Sequence, residues 1–286
     1  MKHKKLIKFF LFVTIAVVAL SSCSKDNQSV ETGADNPISE NPMDTPNPNE
    51  EDMPTDMSEN PIGAIVPGAL TLYSVQGGNV IKQQDFQVTG TALQFQQDTE
   101  RHLMIWDLLK TLIPPTEIEK MNEFVIYLGA ETGSFGYVQP TADDLSTWQM
   151  GLAIDFSFEN SFNEDGNLAY TILHEFGHIL TLDKYQVNAS TAENNCTNYF
   201  SSGCTRSNSY INILYSRYWA DISAEFMNRG DSDEELSDFF EMYRDRFIVL
   251  NAAISPEEDI ADTYATFVIQ NSQPSGNTIA EQKIQF

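Results

Sequence analysis

The hydrophobic and polar positions divide the chain into three parts. A basic start and an apolar stretch at 7–20 have the pattern of an export signal. The next segment, to about residue 62, is rich in proline and acidic side chains and has no aromatic residue, so it cannot bury enough apolar surface to fold. From residue 63 onward, apolar residues recur at the spacings of strands and helices. We expect a cleaved signal at 1–22, a disordered acidic tether at 23–62 and a folded domain at 63–286.

Within the domain, most of the short apolar runs fall in the first half and most of the longer amphipathic segments in the second. The short runs predict strands at 69–75, 86–88, 124–128 and 150–158. The amphipathic segments predict helices at 98–112, 168–182, 211–227, 234–252 and 256–269. Because strands dominate the first half and helices the second, the layout predicts an α+β fold.

The end of the apolar stretch carries a possible anchoring signal. The segment Leu20-Ser21-Ser22-Cys23 resembles the lipobox of bacterial lipoproteins, in which the cysteine is acylated after cleavage. This resemblance implies that Cys23 attaches the chain to a membrane. The resemblance also implies the outer membrane of a Gram-negative cell, because Ser24 stands where an aspartate would indicate the inner membrane. The sequence leaves open which face of that membrane the domain occupies.

Charge and cysteine content narrow the choice of partners. The formal net charge is -25, and a surface of that sign repels phosphate backbones, so we do not expect nucleic acid as a partner. If Cys23 is acylated, the chain retains Cys196 and Cys204. Both lie in a polar segment of an exported protein, so we predict that they form a disulfide.

The predicted helix at 168–182 contains the motif His174-Glu175-Phe176-Gly177-His178. Histidines four residues apart lie on one face of a helix, so both imidazoles can bind one Zn²⁺ ion. Glu175 lies beside them and is the candidate general base for a metal-bound water. Gly177 costs about 1 kcal/mol of helix propensity, which suggests that another backbone approaches closely there.

A catalytic zinc ion usually has a third protein ligand, and the sequence offers several carboxylates. Glu258 is the strongest candidate, because it begins a predicted helix and is followed one turn later by Asp262, which can fix a ligand histidine. Glu258 could instead cap its helix by pairing with Ser255. The remaining candidates are Asp221 and Glu225 on an earlier predicted helix, and Asp183 after the motif.

These motifs resemble those of the zincin clan and of its gluzincin branch. The lipobox, the acidic tether, the motif at 174–178 and the segment 258–262 are together similar to lipoproteins associated with TonB-linked nutrient import, which are described as zinc metallohydrolases. The resemblance implies a zincin-like fold, with a strand-rich N-terminal half leading to the active-site helix and a helical C-terminal half. It also implies a TonB-linked import complex as a partner.

Three functions are compatible with these residues. The leading hypothesis is a membrane-anchored zinc metallopeptidase that holds a peptide or protein substrate against an edge strand at 150–158. The alternative is a non-catalytic lipoprotein that captures peptides or glycans for import. A third hypothesis is a zinc amidase acting on peptidoglycan or glycoprotein. The presence of Glu175 favours a catalytic function.

Overall fold

The computed structural model describes residues 65–270 and 273–286, all of which belong to one compact unit. The predicted signal, the predicted tether and Cys23 lie outside these residues. Within the described ranges, every helix is too short or too polar to span a bilayer.

A mixed five-stranded sheet forms one layer of the domain, in the order β2-β1-β3-β5-β4. Its strands are β1 (Ala69–Gln76), β2 (Asn79–Asp85), β3 (Met121–Tyr127), β4 (Gly136–Pro140) and β5 (Trp148–Ala153). Strands β3 and β5 are parallel, and the other neighbouring pairs are antiparallel. Every residue of β5 is buried, as expected for an inner strand covered on both faces.

Helices outnumber strands in the second half of the chain, and some of the helices pack on the sheet. The α-helices are α1 (Gly90–Gln97), α2 (Thr99–Leu112), α3 (Pro115–Ile118), α4 (Ile154–Ser157), α5 (Asn167–Leu182), α6 (Tyr210–Tyr218), α7 (Ser223–Asn228), α8 (Asp233–Met242), α9 (Pro256–Ile269) and α10 (Ile279–Ile284). Local sequence explains where α9 begins. The Ser255 side chain accepts a hydrogen bond from the Glu258 amide, and Pro256 occupies the first helical position, where a missing N–H costs nothing.

A second, smaller sheet follows α5. It consists of β6 (Val187–Asn188), β7 (Tyr199–Phe200) and β8 (Gly203–Thr205), in the antiparallel order β6-β8-β7. A disulfide joins Cys196 to Cys204, which confirms the predicted pairing.

The α+β class is confirmed, but several element predictions are wrong. The segment 150–158 is not one edge strand, because β5 ends at Ala153, α4 follows, and β5 lies between β3 and β4. The edge strands are β2 and β4, and the sequence did not predict a strand at β4. Likewise β2 precedes the predicted strand at 86–88. The predicted helix at 211–227 is broken into α6 and α7, and α8 covers only the first part of 234–252.

Helix α5 lies in the interior, between the sheet and the C-terminal helices. It packs on β4 and β5 on one side, and on α2, α6 and α9 elsewhere. Its apolar side chains, among them Ile172, Phe176 and Ile179, are fully buried in the main core. The motif at 174–178 is therefore held in a rigid part of the molecule.

Candidate metal centre

The motif residues of α5 are buried although they are polar. His174 and Glu175 are each 9% exposed, and His178 is 7% exposed. Burial of charged or strongly polar groups is costly unless they have partners. The partners of His174 and His178 come from α9, which is the element that packs most extensively on α5.

His174, His178 and Glu258 place their ligand atoms within 4.8 Å of one another. His174 Nε2 lies 3.0 Å from Glu258 Oε2, and His178 Nε2 lies 3.4 Å from Glu258 Oε1. The two Nε2 atoms are 3.2 Å apart. Three ligand atoms of a tetrahedral zinc site, each about 2.0–2.1 Å from the ion, would lie about 3.3 Å apart. The observed separations therefore fit such a site.

Gly177 allows α5 and α9 to approach closely. A Cβ atom added at Gly177 would lie 3.0 Å from Ala261 Cα, which is tighter than nine in ten real contacts of a Cβ atom. The expected close approach of another backbone is thus confirmed. Because Glu258 precedes Ala261 by one helical turn, this approach also brings the Glu258 carboxylate to the histidines.

Asp262 orients the first histidine. Its Oδ1 accepts hydrogen bonds from His174 Nδ1 at 2.8 Å and from the Tyr170 hydroxyl at 2.7 Å, and the residue is 1% exposed. A carboxylate on Nδ1 directs the Nε2 atom toward the metal position and makes the imidazole more basic.

Tyr170 and Asn251 also contact this cluster, and neither was predicted from the sequence. Tyr170 lies one turn before His174 on the same helix, so helical spacing could have indicated it. Asn251 donates from Nδ2 to Glu258 Oε2 at 2.7 Å and to Asp262 Oδ2 at 3.3 Å. It lies outside regular α-helix, in the turn before α9, and no sequence signal marks it.

The electrostatics of the cluster favour a bound cation. Burial lowers the pKa of His174, but hydrogen bonds to Asp262 and Glu258 outweigh burial and raise this pKa well above its ordinary value. Burial raises the pKa of Glu258, but the charges and hydrogen bonds of His178 and His174 lower it well below the usual range. Both shifts favour protonated imidazoles next to an ionised Glu258 carboxylate when no metal is bound. A bound cation would supply the positive charge in place of those protons.

Glu175 differs from the other acids of the cluster in having no hydrogen-bond partner among the described residues. Burial raises the pKa of its carboxyl group, against the opposing charges of His174 and His178. The side chain lies beside β4, where a Cβ atom added at Gly136 would be 3.1 Å from Glu175 Cγ. Glu175 thus lies between the histidines and the edge strand.

The other candidate ligands are engaged elsewhere. Asp221 pairs with Arg246, and Asp183 binds Lys120 at 2.7 Å. Glu225 lies on α7, where its side chain is exposed. Within the described ranges, His174, His178 and Glu258 are the one group of three or more His, Cys, Asp or Glu side chains close enough to hold a metal ion.

Comparisons with known proteins add no family to this description. No protein-family model, curated protein or solved structure matches the chain. The evidence for a function therefore comes from the geometry around His174, His178 and Glu258.

Proposed function

We propose that this protein is a zinc-dependent metallopeptidase with a zincin-like architecture. The observation that carries the proposal is the convergence of His174, His178 and Glu258 next to Glu175. Two imidazoles and one carboxylate form a ligand set that suits a catalytic zinc ion and leaves a fourth position open. The separations of 3.0–3.4 Å between the ligand atoms agree with that ion.

The residues around the ligands have complementary roles in this proposal. A bound zinc ion would polarise a peptide carbonyl and lower the pKa of a water molecule. Glu175 would accept the proton of the attacking water and pass it to the leaving amine, since no other residue of 65–270 or 273–286 forms a hydrogen bond with its carboxylate. The burial that raises its pKa brings the group closer to the pH range in which it can both accept and return a proton.

The edge strand β4 supports a peptide or protein as the substrate. Strand β4 ends the sheet, so one row of its backbone N–H and C=O groups has no neighbouring strand among the residues that the structure describes. An extended peptide can add to such an edge by backbone hydrogen bonds. Gly136 at the start of β4 is next to Glu175, which would bring the scissile bond of that peptide close to the general base.

The location and partner of the protein are also proposals, which rest on the sequence resemblance. Lipid on Cys23 would hold the protein in the outer membrane. The segment at 23–62 would act as a linker that lets the domain lie some distance from that anchor. The resemblance to import-associated lipoproteins suggests a TonB-linked complex as the partner that takes up the products.

The test of the proposed function separates metal binding from hydrolysis. His174→Ala, His178→Ala and Glu258→Ala should each lose bound zinc, measured as metal content per protein chain. Glu175→Gln should retain about one zinc ion but lose hydrolysis of a peptide library, because an amide cannot accept the proton of the water. Glu241→Gln on the exposed face of α8 is the matched control and should behave as the wild type.

Two results would contradict the proposal. Hydrolysis that persists in Glu175→Gln would remove the general base from the mechanism. Peptide or glycan binding by a wild-type protein that holds zinc but cleaves no peptide would favour the alternative of a non-catalytic capture lipoprotein.

A further inference from the structure

The small sheet connects the two helices that carry the candidate ligands. Strand β6 follows the end of α5, and it pairs with β8 through Val187 and Asn188. The turn between β7 and β8 reaches the start of α9, where Ser201 donates hydrogen bonds from its backbone N–H and its hydroxyl to Glu257 Oε1, each at 3.2 Å. The sheet therefore links the histidine helix to the helix of Glu258 by a route outside the metal cluster.

Glu257 is well placed to control the orientation of Glu258. Consecutive residues of a helix differ by about 100° in direction, so Glu257 points toward the turn at Ser201 while Glu258 points toward the histidines. Glu257 is 9% exposed, and its carboxylate is fixed by the two hydrogen bonds from Ser201. The first turn of a helix has few internal hydrogen bonds, so an external contact there restrains its rotation strongly.

The turn at Ser201 is itself held by the disulfide. Strand β7 contains only two residues, and strands this short form a marginal pairing in water. Cys204 lies in β8, the middle strand, where it pairs with Tyr199 of β7 on one side and with Asn188 of β6 on the other. Its disulfide bond to Cys196 closes the hairpin beside these two pairs. Cleavage of this bond would remove the covalent closure of the hairpin. Its shape would then depend on the pairing of β8 with β6 and on the hydrogen bonds of Asn198 with Thr205 and Asn212.

We propose that the disulfide-closed hairpin at 196–204 is a positioning element for Glu258, acting through Ser201 and Glu257. The hairpin holds the first turn of α9 in the orientation that presents Glu258 to His174 and His178. This restraint on the first turn of α9 does not require a metal ion, so it can be measured in metal-free protein. Its effect on zinc affinity rests on the proposed function.

The first experiment measures hydrogen exchange of the α9 amides at 257–262 in protein stripped of metal. Loss of a hydrogen bond to a carboxylate should raise the opening of this turn by about tenfold. We expect that increase in Glu257→Ala and in Cys196→Ser/Cys204→Ser, with unchanged exchange in α2. Glu257→Gln should restore slow exchange, since the amide oxygen can still accept from Ser201.

A matched control accounts for the general effect of an acid near a helix start. Glu234 occupies the same position after the serine cap of α8 as Glu257 does in α9, but it is exposed. Glu234→Ala should raise exchange of the first-turn amides of α8 much less than Glu257→Ala raises exchange at 257–262. If Glu257→Ala and the double-serine variant both stay within about twofold of the wild-type exchange rate at 257–262, the positioning role is wrong.

The second experiment measures zinc affinity of the same variants by chelator competition. Glu257→Ala and Cys196→Ser/Cys204→Ser should bind zinc about 10–100-fold more weakly, as is usual when support behind a ligand is lost. Glu257→Gln should keep the wild-type affinity, and unchanged affinity in both weakened variants would contradict the link to Glu258. A wild-type protein that binds no zinc would contradict the proposed function instead, and the exchange result would still decide the effect of the hairpin on α9.

Discussion

At the scale of single residues, the hydrogen bond between His174 and Asp262 acts directly on the orientation of a candidate zinc ligand. Asp262→Asn should weaken zinc affinity by about 10–100-fold, because an amide fixes the tautomer of the ligand imidazole and raises its basicity less well than a carboxylate does. The measurement is chelator competition on the purified protein. Unchanged affinity would show that Asp262 does not hold the ligand.

Tyr170→Phe is the control for this substitution. Its hydroxyl donates to the same Oδ1 atom, so its removal disturbs Asp262 but leaves the carboxylate on His174. We expect a smaller loss of zinc affinity from Tyr170→Phe than from Asp262→Asn.

The titration of the same cluster gives a second prediction, for protein stripped of metal. The folded pKa of His174 lies above its ordinary value of 6.5, so its contribution to stability is fully present below about pH 6.5 and is lost as pH rises through the folded pKa. Glu258 has a lowered pKa, so its contribution is present above about pH 4.5 and is lost as pH falls through the folded pKa. The melting temperature should therefore fall as pH increases from 6.5.

Two further samples isolate this effect from the general response of an acidic protein to pH. In the double variant His174→Ala/His178→Ala, the melting temperature should no longer show the part of its decline above pH 6.5 that is caused by the cluster. Zinc-loaded wild type should also lack it, because the ion replaces the protons on the imidazoles. A decline of the same size in the double variant would assign the pH dependence to other groups.

The site residues that could be identified from the sequence are those whose relative positions are fixed by the spacing of a single helix. His174, Glu175 and His178 are related by helical spacing alone, and the pairing of Glu258 with Asp262 on α9 follows the same rule. Asn251 could not be found this way, because its contacts depend on how the turn before α9 folds back onto that helix.

At the scale of elements, β4 and α5 meet at a contact that has no room for a larger residue. A Cβ atom at Gly136 would lie 2.6 Å from Thr171 Cγ2 and 3.1 Å from Glu175 Cγ. Gly136→Ala should therefore push β4 or Glu175 out of place and lower peptide hydrolysis at least tenfold, while zinc content stays near that of the wild type.

Removal of the obstructing methyl group tests the cause. Thr171→Ser deletes Cγ2, so Gly136→Ala/Thr171→Ser should recover much of the activity lost in Gly136→Ala. Peptide hydrolysis that is equally low in the double and single variants would mean that the contact with Thr171 is not responsible.

Elements were predictable where one sequence pattern ran through the whole element. The helices α2 and α9 match their predictions because a side-chain cap, a nearby proline and apolar spacing agree along their length, whereas α5 has no side-chain cap and was marked by its apolar spacing alone. The edge strand β4 was missed because Gly136 to Pro140 has little apolar character and takes its conformation from pairing with β5. The strand predicted at 150–158 was too long because the apolar run continues into α4, and composition alone does not mark that change.

At the scale of the whole molecule, α9 is held by parts of the chain that are remote in sequence. The hairpin contacts Glu257 on one side of its first turn, and the C-terminal helix α10 contacts Asp259 on another. Lys283 of α10 forms a fully buried ion pair with Asp259 and donates a further hydrogen bond to the Arg246 carbonyl at 2.7 Å. The last residues of the chain thus contribute to holding the helix of Glu258.

Breaking this ion pair gives the final prediction. Lys283→Met should lower the free energy of unfolding by about 3–5 kcal/mol, because the Asp259 carboxylate would remain buried with Trp219 Nε1 as a hydrogen-bond donor but without a countercharge. Urea unfolding of the metal-free protein measures this loss. Arg244→Met, which breaks the exposed pair with Glu241, is the control and should change stability little.

A double variant shows whether the unpaired charge is the cause. Lys283→Met/Asp259→Leu removes both charges and keeps apolar volume between α9 and α10, so it should be more stable than Lys283→Met alone. If the double variant is no more stable than Lys283→Met, the loss comes from packing of the Lys283 side chain against Phe247 and its neighbours. In that case α10 would hold α9 by apolar contact, and the unfolding free energy would depend on side-chain volume at residue 283 instead of on charge at residue 259.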